Sequence, residues 1–265
     1  MKRENKLLIK IQRLLKKLNQ REYLHRFGPK KYKLKHHLTA LLVMQICKLS
    51  LRRVEKFLIL FDMKVPTYSA LCKSRKRISP KLFESLLNST ISFQSKNVAI
   101  DSTGISVQNP SAHFVKRIDR KNLVKRFVKL SVFFDVDNRK FLALKVRAKP
   151  RHDVMDFNSL FRKSHNFKNL FADTAYDSEN IHEKCFDNGI QTFIKPRKNV
   201  KRGFYRRKQM KNYSEERYHQ RSLVETGFSI YKRKYGGYTL TKSAKSAKAE
   251  AYLRAFASNL NLINN

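Results

Sequence analysis

Residues 218–232 read YHQRSLVETGFSIYK. Taken as one helix at about 100° per residue, with Tyr218 at zero, Arg221 falls at about −60°, Glu225 at about −20° and Lys232 at about −40°. A phenol, two cations and one carboxylate therefore share a narrow face over two heptads. The opposite face collects Leu223, Val224, Ile230 and Tyr231 around Gly227, whose missing Cβ lets a helix lie close on a sheet. A stripe of charge is ordinarily just the solvated side of an amphipathic helix. Here its carboxylate would project from a helix with a buried back, an arrangement suited to holding a metal beside a phosphate.

Working outward, residues 195–211 (KPRKNVKRGFYRRKQMK) hold nine Lys or Arg and no acid, with Phe204 and Tyr205 among them. Such a run is commonly a solvated tail. Between a strand and the Glu225 helix, and interleaved with aromatics, it reads as an insertion over 195–213 that grips DNA through Arg206, Arg207 and Lys208. Ser214, Glu215 and Glu216 form a helix start, Gly236 and Gly237 a stop, and an Ala- and Leu-rich helix over 244–263 finishes the chain, its Leu253, Phe256 and Leu260 predicted to pack on the same domain.

Upstream, the texture is α/β. NVAID is a short apolar strand ending on Asp101 and extended through STGISV; FVKLSVFFDV and KFLALKVRA are β-prone runs joined by a hairpin signal at Asp137 and Asn138. Asp153 reads as the N-cap of a helix, DVMDFNSLFRK. NLFAD is a strand ending on Asp173, Asp177 reads as the N-cap of SENIHEKCFDN, and IQTFIKP is a fifth strand. Residues 109–126 read as a basic loop. The order β-β-β-α-β-α-β specifies a mixed sheet with flanking helices.

Only twenty acids stand against fifty-nine Lys and Arg. Asp101 and Asp173 each close a short apolar strand. Either alone could be an ordinary strand-end aspartate, but two of them with Glu225 on an inward-facing helix form a candidate metal site. Three converging carboxylates repel one another without cations, and Mg²⁺ relieves that repulsion with oxygen ligands. Asp119, Asp135 and Asp137 lie in turns or the basic loop and are set aside.

The spacing Tyr-x2-Arg-x3-Glu-x6-Lys resembles the signature of DDE transposases of prokaryotic insertion sequences. IDSTGISV and ADTAYDSENIH resemble the segments around that family's first two acids, and the likeness covers most of residues 97–240. It implies an RNase H-like catalytic domain over 96–243 and a catalytic, metal-holding triad of Asp101, Asp173 and Glu225. It also implies two Mg²⁺ ions (Mn²⁺ as substitute), cleavage at element ends and strand transfer of the freed 3′ hydroxyl. Arg221 and Lys232 would hold phosphates and Tyr218 would hydrogen-bond or stack beside them. The partner implied is double-stranded DNA, held in synapsis by a homodimer. Other readings are a nuclease of the same fold without strand transfer, and a DNA-binding protein whose acids are only caps.

The chain of 265 residues carries a formal net charge of +39, which calls for a polyanionic partner. The absence of a long apolar run argues for a cytoplasmic, nucleoid-associated protein and against a membrane span. Cys47, Cys72 and Cys185 are scattered and have no metal-ligand spacing, and the neighbours His36 and His37 point apart on a helix. Residues 1–95 read as five helices: a basic amphipathic one stopped at Gly28 and Pro29, a buried one over 37–47, a third capped by Ser50, a cationic fourth and a fifth begun by Pro80. This fits a helix-turn-helix-like DNA-binding or dimerisation region, or a bundle that braces the next domain. PTYSALCKSRKRI resembles the same family's N-terminal region and favours DNA contact.

Overall fold

The computed structural model describes residues 3–27, 30–91, 94–107, 127–149, 151–164, 166–198, 202–239, 241 and 243–261. The stop at Gly28 and Pro29, the basic loop 109–126 and Asp119 lie outside them. The described residues fall into two units, one built from the segments up to Thr90, from Ser106 and from Lys234 onward, the other from Ile91–Ile105 and Phe127–Arg233.

Five helices open the first unit: α1 (Arg3–Lys17), α2 (Leu34–Ile46), α3 (Leu51–Ile59), α4 (Tyr68–Arg77) and α5 (Pro80–Asn88). Side chains set three of their starts. Ser50 accepts from the Arg53 amide, Thr67 from Ala70 and Ser79 from Leu82, with Pro80 in the first turn of α5. Helix α2 is buried almost all round, as its apolar run requires. His37 lies inside it, and burial first of all, then the nearby His36 and His25, push its pKa down to about 4.

The second unit is a five-stranded sheet in the order β3-β2-β1-β4-β5, a meander followed by alternating strands and helices, as the order of elements in the chain predicts. Its strands are β1 (Asn97–Ser106, leaving the unit at its last residue), β2 (Phe127–Asp135), β3 (Lys140–Arg147), β4 (Asn169–Ala172) and β5 (Gln191–Ile194). Strands β2 and β3 pair antiparallel, whereas β1 with β4 and β4 with β5 pair parallel. Asp135 closes the hairpin by accepting from the Asn138 amide and side chain at 2.8 and 2.9 Å. One face of the sheet packs on α6 (Val154–Phe161) and α7 (Glu179–Asp187), where Phe157, Leu160, Ile181 and Cys185 join Val98, Ile100, Phe133 and Leu170. The other face takes the helix carrying Glu225, here α10 (Ser222–Tyr235), because Phe134 points opposite to Phe133. Gly227 allows that contact, since a Cβ there would stand 2.8 Å from the Phe134 ring.

Two short helices precede α10, namely α8 (Phe204–Met210) and α9 (Glu215–Tyr218), with a 3₁₀ turn at His219–Arg221. Helix α8 closes the free edge of β5. The Gln209 side chain accepts from the Thr192 amide at 3.0 Å and donates to the Ile190 carbonyl at 2.9 Å. An edge strand thus finds the donor and acceptor that a sixth strand would supply.

The last helix, α11 (Ala244–Asn261), corrects an expectation. It packs with α2, α4 and α5, within the first unit. Five buried alanines let it approach them closely, Arg254 donates to Gln45 at 2.8 Å, Asn259 to Thr90 at 2.9 Å, and Tyr252 stacks on Phe83. Among the described residues no helix is long and apolar enough to cross a membrane.

Candidate active site

Parallel pairing of β1 with β4 ends at Ile100 opposite Ala172, so Asp101, midway along β1, and Asp173, just past β4, both follow the last pair of that ladder. Each carboxylate is held by the backbone that follows it, strand for Asp101 and a 3₁₀ turn for Asp173. Asp101 accepts from the Ser102 amide and Asp173 from the Thr174 amide, both at 2.7 Å and both through Oδ1. Among the described residues the second oxygen of each has no hydrogen-bond partner. Burial pushes the pKa of Asp101 up to about 6; the Ser102 amide and Arg221 oppose the shift, and the charges of Glu225 and Asp153 add to it.

Glu225 comes within electrostatic reach of Asp101, but it is paired with Arg221 at 2.9 Å and its side chain is 55% exposed. Burial works against the charge of Arg221, and Glu225, Tyr218, Asp173 and Asp101 together outweigh it and raise its pKa. The guanidinium also stands 5.9 Å from the centre of the Tyr218 ring. Asp101, Asp173, Arg221 and Glu225 therefore share one electrostatic neighbourhood.

The four-residue stripe is not the single face that an unbroken α-helix would give. The 3₁₀ turn winds at about three residues per turn and rotates Tyr218 by roughly 60° relative to Glu225. Tyr218 ends up buried, with its ring beside Tyr213 and Lys195. Lys232 lies half-buried further along α10. The buried stripe is Val224, Gly227, Phe228, Tyr231 and Tyr235, while Leu223 and Ile230 are only partly covered.

Asp153 enters the site as a residue that the sequence disguised. It reads as a helix cap, yet its backbone is already helical and its side chain caps nothing. It accepts from the Ser102 hydroxyl at 2.7 Å and pairs with the Lys129 ammonium at 2.5 Å. Tyr176, fully buried, lies beside it; burial first, then the charges of Asp153 and Asp101, hold its phenol well above its ordinary pKa.

Two further expectations change. Asp177 is not a cap but a buried hub, accepting from Arg206 Nε at 2.6 Å, from the Arg197 amide at 2.9 Å and meeting His182 Nε2 at 3.1 Å. Burial alone would raise its pKa, and these three donors overcome that and hold it below the usual carboxylate range. Arg206, read as a DNA contact, accordingly faces inward. Arg197 also donates to the Thr174 and Ala175 carbonyls, tying the basic stretch to the turn that follows Asp173. Glu179 accepts from the Tyr205 and Arg206 amides at the start of α8, where Gly203 has a φ of 131° and a Cβ would collide with that carboxylate. Arg207 and Lys208 remain exposed, with Lys208 4.4 Å from the Phe204 ring centre and 4.8 Å from that of Phe186.

The donors offered to a metal are hard carboxylate oxygens, which suit Mg²⁺ or Mn²⁺ and not a soft ion. Asp101 and Asp173 fit directly, as adjacent, partly desolvated carboxylates with one oxygen free. Among the described residues no three acids, histidines or cysteines already stand together as a complete metal cage. Glu225 is paired with Arg221 through Oε1.

The model of the family described as "Transposase DDE domain" matches residues 93–260, and the chain belongs to that family. It is a DNA transposase of the divalent-metal-dependent DDE class. No individual curated protein matches. Among solved structures the chain is similar to a Mos1 transposase paired-end complex with the left transposon end, at 10% identity and a TM-score of 0.26, over 80% of this chain and 81% of that one. A Mos1 mariner paired-end complex with Mn is similar at 11% identity and a TM-score of 0.28, over 94% and 86% of the two chains.

Proposed function

We propose that the chain cuts DNA at the ends of an insertion sequence and joins the freed 3′ hydroxyls to target DNA, with Asp101, Asp173 and Glu225 as the catalytic carboxylates. One observation carries the reading. Two acids follow the last pair of the parallel β1–β4 ladder, one with its pKa lifted to about 6, and the 3₁₀ turn and the start of α10 bring Arg221 and Glu225 within electrostatic reach of them. Two Mg²⁺ ions, or Mn²⁺ in their place, would activate the attacking oxygen and stabilise the leaving one when bound.

The chain's own groups do the rest. Asp101 and Asp173 present their free oxygens to the cations from a fixed strand and a fixed turn. Arg221 exchanges Glu225 for a phosphate, which frees the glutamate to join them and holds the strand in line. Lys232, Arg207 and Lys208 contact the DNA backbone, and the N-terminal helical region contributes to end recognition. Two copies hold two ends in the cytoplasm, at the nucleoid.

The test is a plasmid carrying two element ends, incubated with Mg²⁺ or Mn²⁺. Nicking and joined products are expected. Asp101→Asn, Asp173→Asn and Glu225→Gln are expected to abolish both while gel-shift affinity holds. Cleavage without any joined product would leave a nuclease, and undiminished cutting by one variant would remove that residue from the site.

A further inference from the structure

Beside Asp101 the sheet unit carries a hollow of about 640 Å³, lined by Lys129, Arg151, His152, Asp153 and Met155. That is the size of a site for a small molecule or a piece of a polymer backbone. It adjoins the acids through Asp153, which takes the Ser102 hydroxyl, one residue from Asp101.

The charges inside it cancel in pairs. Lys129, its side chain 9% exposed, pairs with Asp153 and donates to the Arg151 carbonyl at 2.6 Å. Asp156 behind it is matched by Arg147 and by the Ser131 hydroxyl. With Asp153, the one carboxylate among the described lining residues, already neutralised by an ammonium, the hollow does not suit a cation. What remains for a ligand is the Arg151 guanidinium and the His152 imidazole, both exposed and neither in an ion pair among the described residues. Met155 adds an apolar thioether that is 54% exposed. Fork donors with an apolar neighbour match a sugar–phosphate unit, the guanidinium for the phosphate and the thioether for the sugar.

Resting on the reading of the chain as an enzyme that cuts DNA, we propose that this hollow seats a backbone phosphate of the strand lying against Asp101. Arg151 and His152 grip that phosphate. Lys129 keeps Asp153 from repelling it.

The experiment compares wild type, Arg151→Gln/His152→Gln and a control, Lys96→Gln/Lys168→Gln. The control removes two exposed cations at the opposite ends of β1 and β4. Affinity for a short duplex of arbitrary sequence is measured across salt concentrations, and single-turnover plasmid nicking with Mn²⁺ at saturating DNA. All three proteins are expected to melt alike. The Arg151/His152 variant is expected to show a log–log salt slope shallower by about 0.9 per phosphate lost, and nicking slowed by about tenfold or more. The control is expected to match wild type in both. An unchanged slope in the Arg151/His152 variant, or an equal change in the control, overturns the proposal. So does tight binding of inorganic phosphate alone by wild type with the variant's DNA slope intact, which would assign the hollow to a free anion. The slope needs only DNA binding, so a wild type that binds but never cuts would refute the catalytic reading and leave the phosphate seat standing.

Discussion

Asp101 and Asp177 are two carboxylates of one sheet domain, each withdrawn from water, and their pKa values move in opposite directions. Asp177 has collected an arginine, a histidine and a backbone amide, and sits below the usual range. Asp101 has one amide and the neighbouring negative charges of Glu225 and Asp153, and is lifted to about 6. Burial raises both; the partners decide the sign. A carboxylate that the fold has satisfied holds structure together, and one left wanting is available to something from outside. The basic stretch divides in the same way, since Arg206 serves Asp177 while Arg207 and Lys208 stay in solvent.

The largest expected difference between the two acids is in turnover. Asp101→Asn lowers single-turnover nicking on the order of 10³-fold and does not lower thermal stability. Asp177→Asn destabilises the fold by about 3–5 kcal/mol, because it strands a buried Arg206. Urea melts and nicking of both variants test the pair together. An Asp177→Asn protein that melts like wild type would break the comparison.

Acid titration separates them next. Asp177, with a lowered pKa, contributes stability above the ordinary carboxylate range and loses it as pH falls through its folded value. Asp101 does the reverse: its contribution is complete below about 3.8 and is lost as pH rises to about 6. That loss comes to about 3 kcal/mol at neutral pH in metal-free protein. Wild type is therefore expected to weaken relative to Asp101→Asn between pH 4 and 6. Stability curves that run parallel across that window would refute the shift.

The smallest effect concerns the helix that brings Glu225 to Asp101. Gly227→Ala places a methyl group against the Phe134 ring and is expected to cost about 1–3 kcal/mol, with nicking falling as Glu225 is pushed outward. An unchanged melting temperature would mean that this contact is slack.

Much of this was legible in the chain. The strands announce themselves through β-branched and aromatic runs, and Asp101 and Asp173 stand out because each follows a short apolar run, although β1 continues past Asp101 to Ser106. Gly227 is legible because a glycine in the middle of a helix needs a reason. Other features were hidden by their surroundings. Arg206 sits in a charge run, and a charge run gives no sign that one member points inward. Asp153 and Asp177 precede helices, where an aspartate reads as a cap, and only the fold reveals Ser102 and Arg206 as their partners. Helix α11 shows by its alanines that it is buried, yet apolarity does not name the surface that buries it.

Gln209 has a consequence for how copies of this chain can meet. A bare strand at the rim of a sheet recruits a strand from any neighbour, and a protein concentrated on DNA would be exposed to such runaway polymerisation. By imitating a peptide group on a helix, the Gln209 amide ends the sheet at β5. At this rim a second molecule finds the Thr192 amide and the Ile190 carbonyl already answered, so the indiscriminate grammar of the backbone is closed to it there.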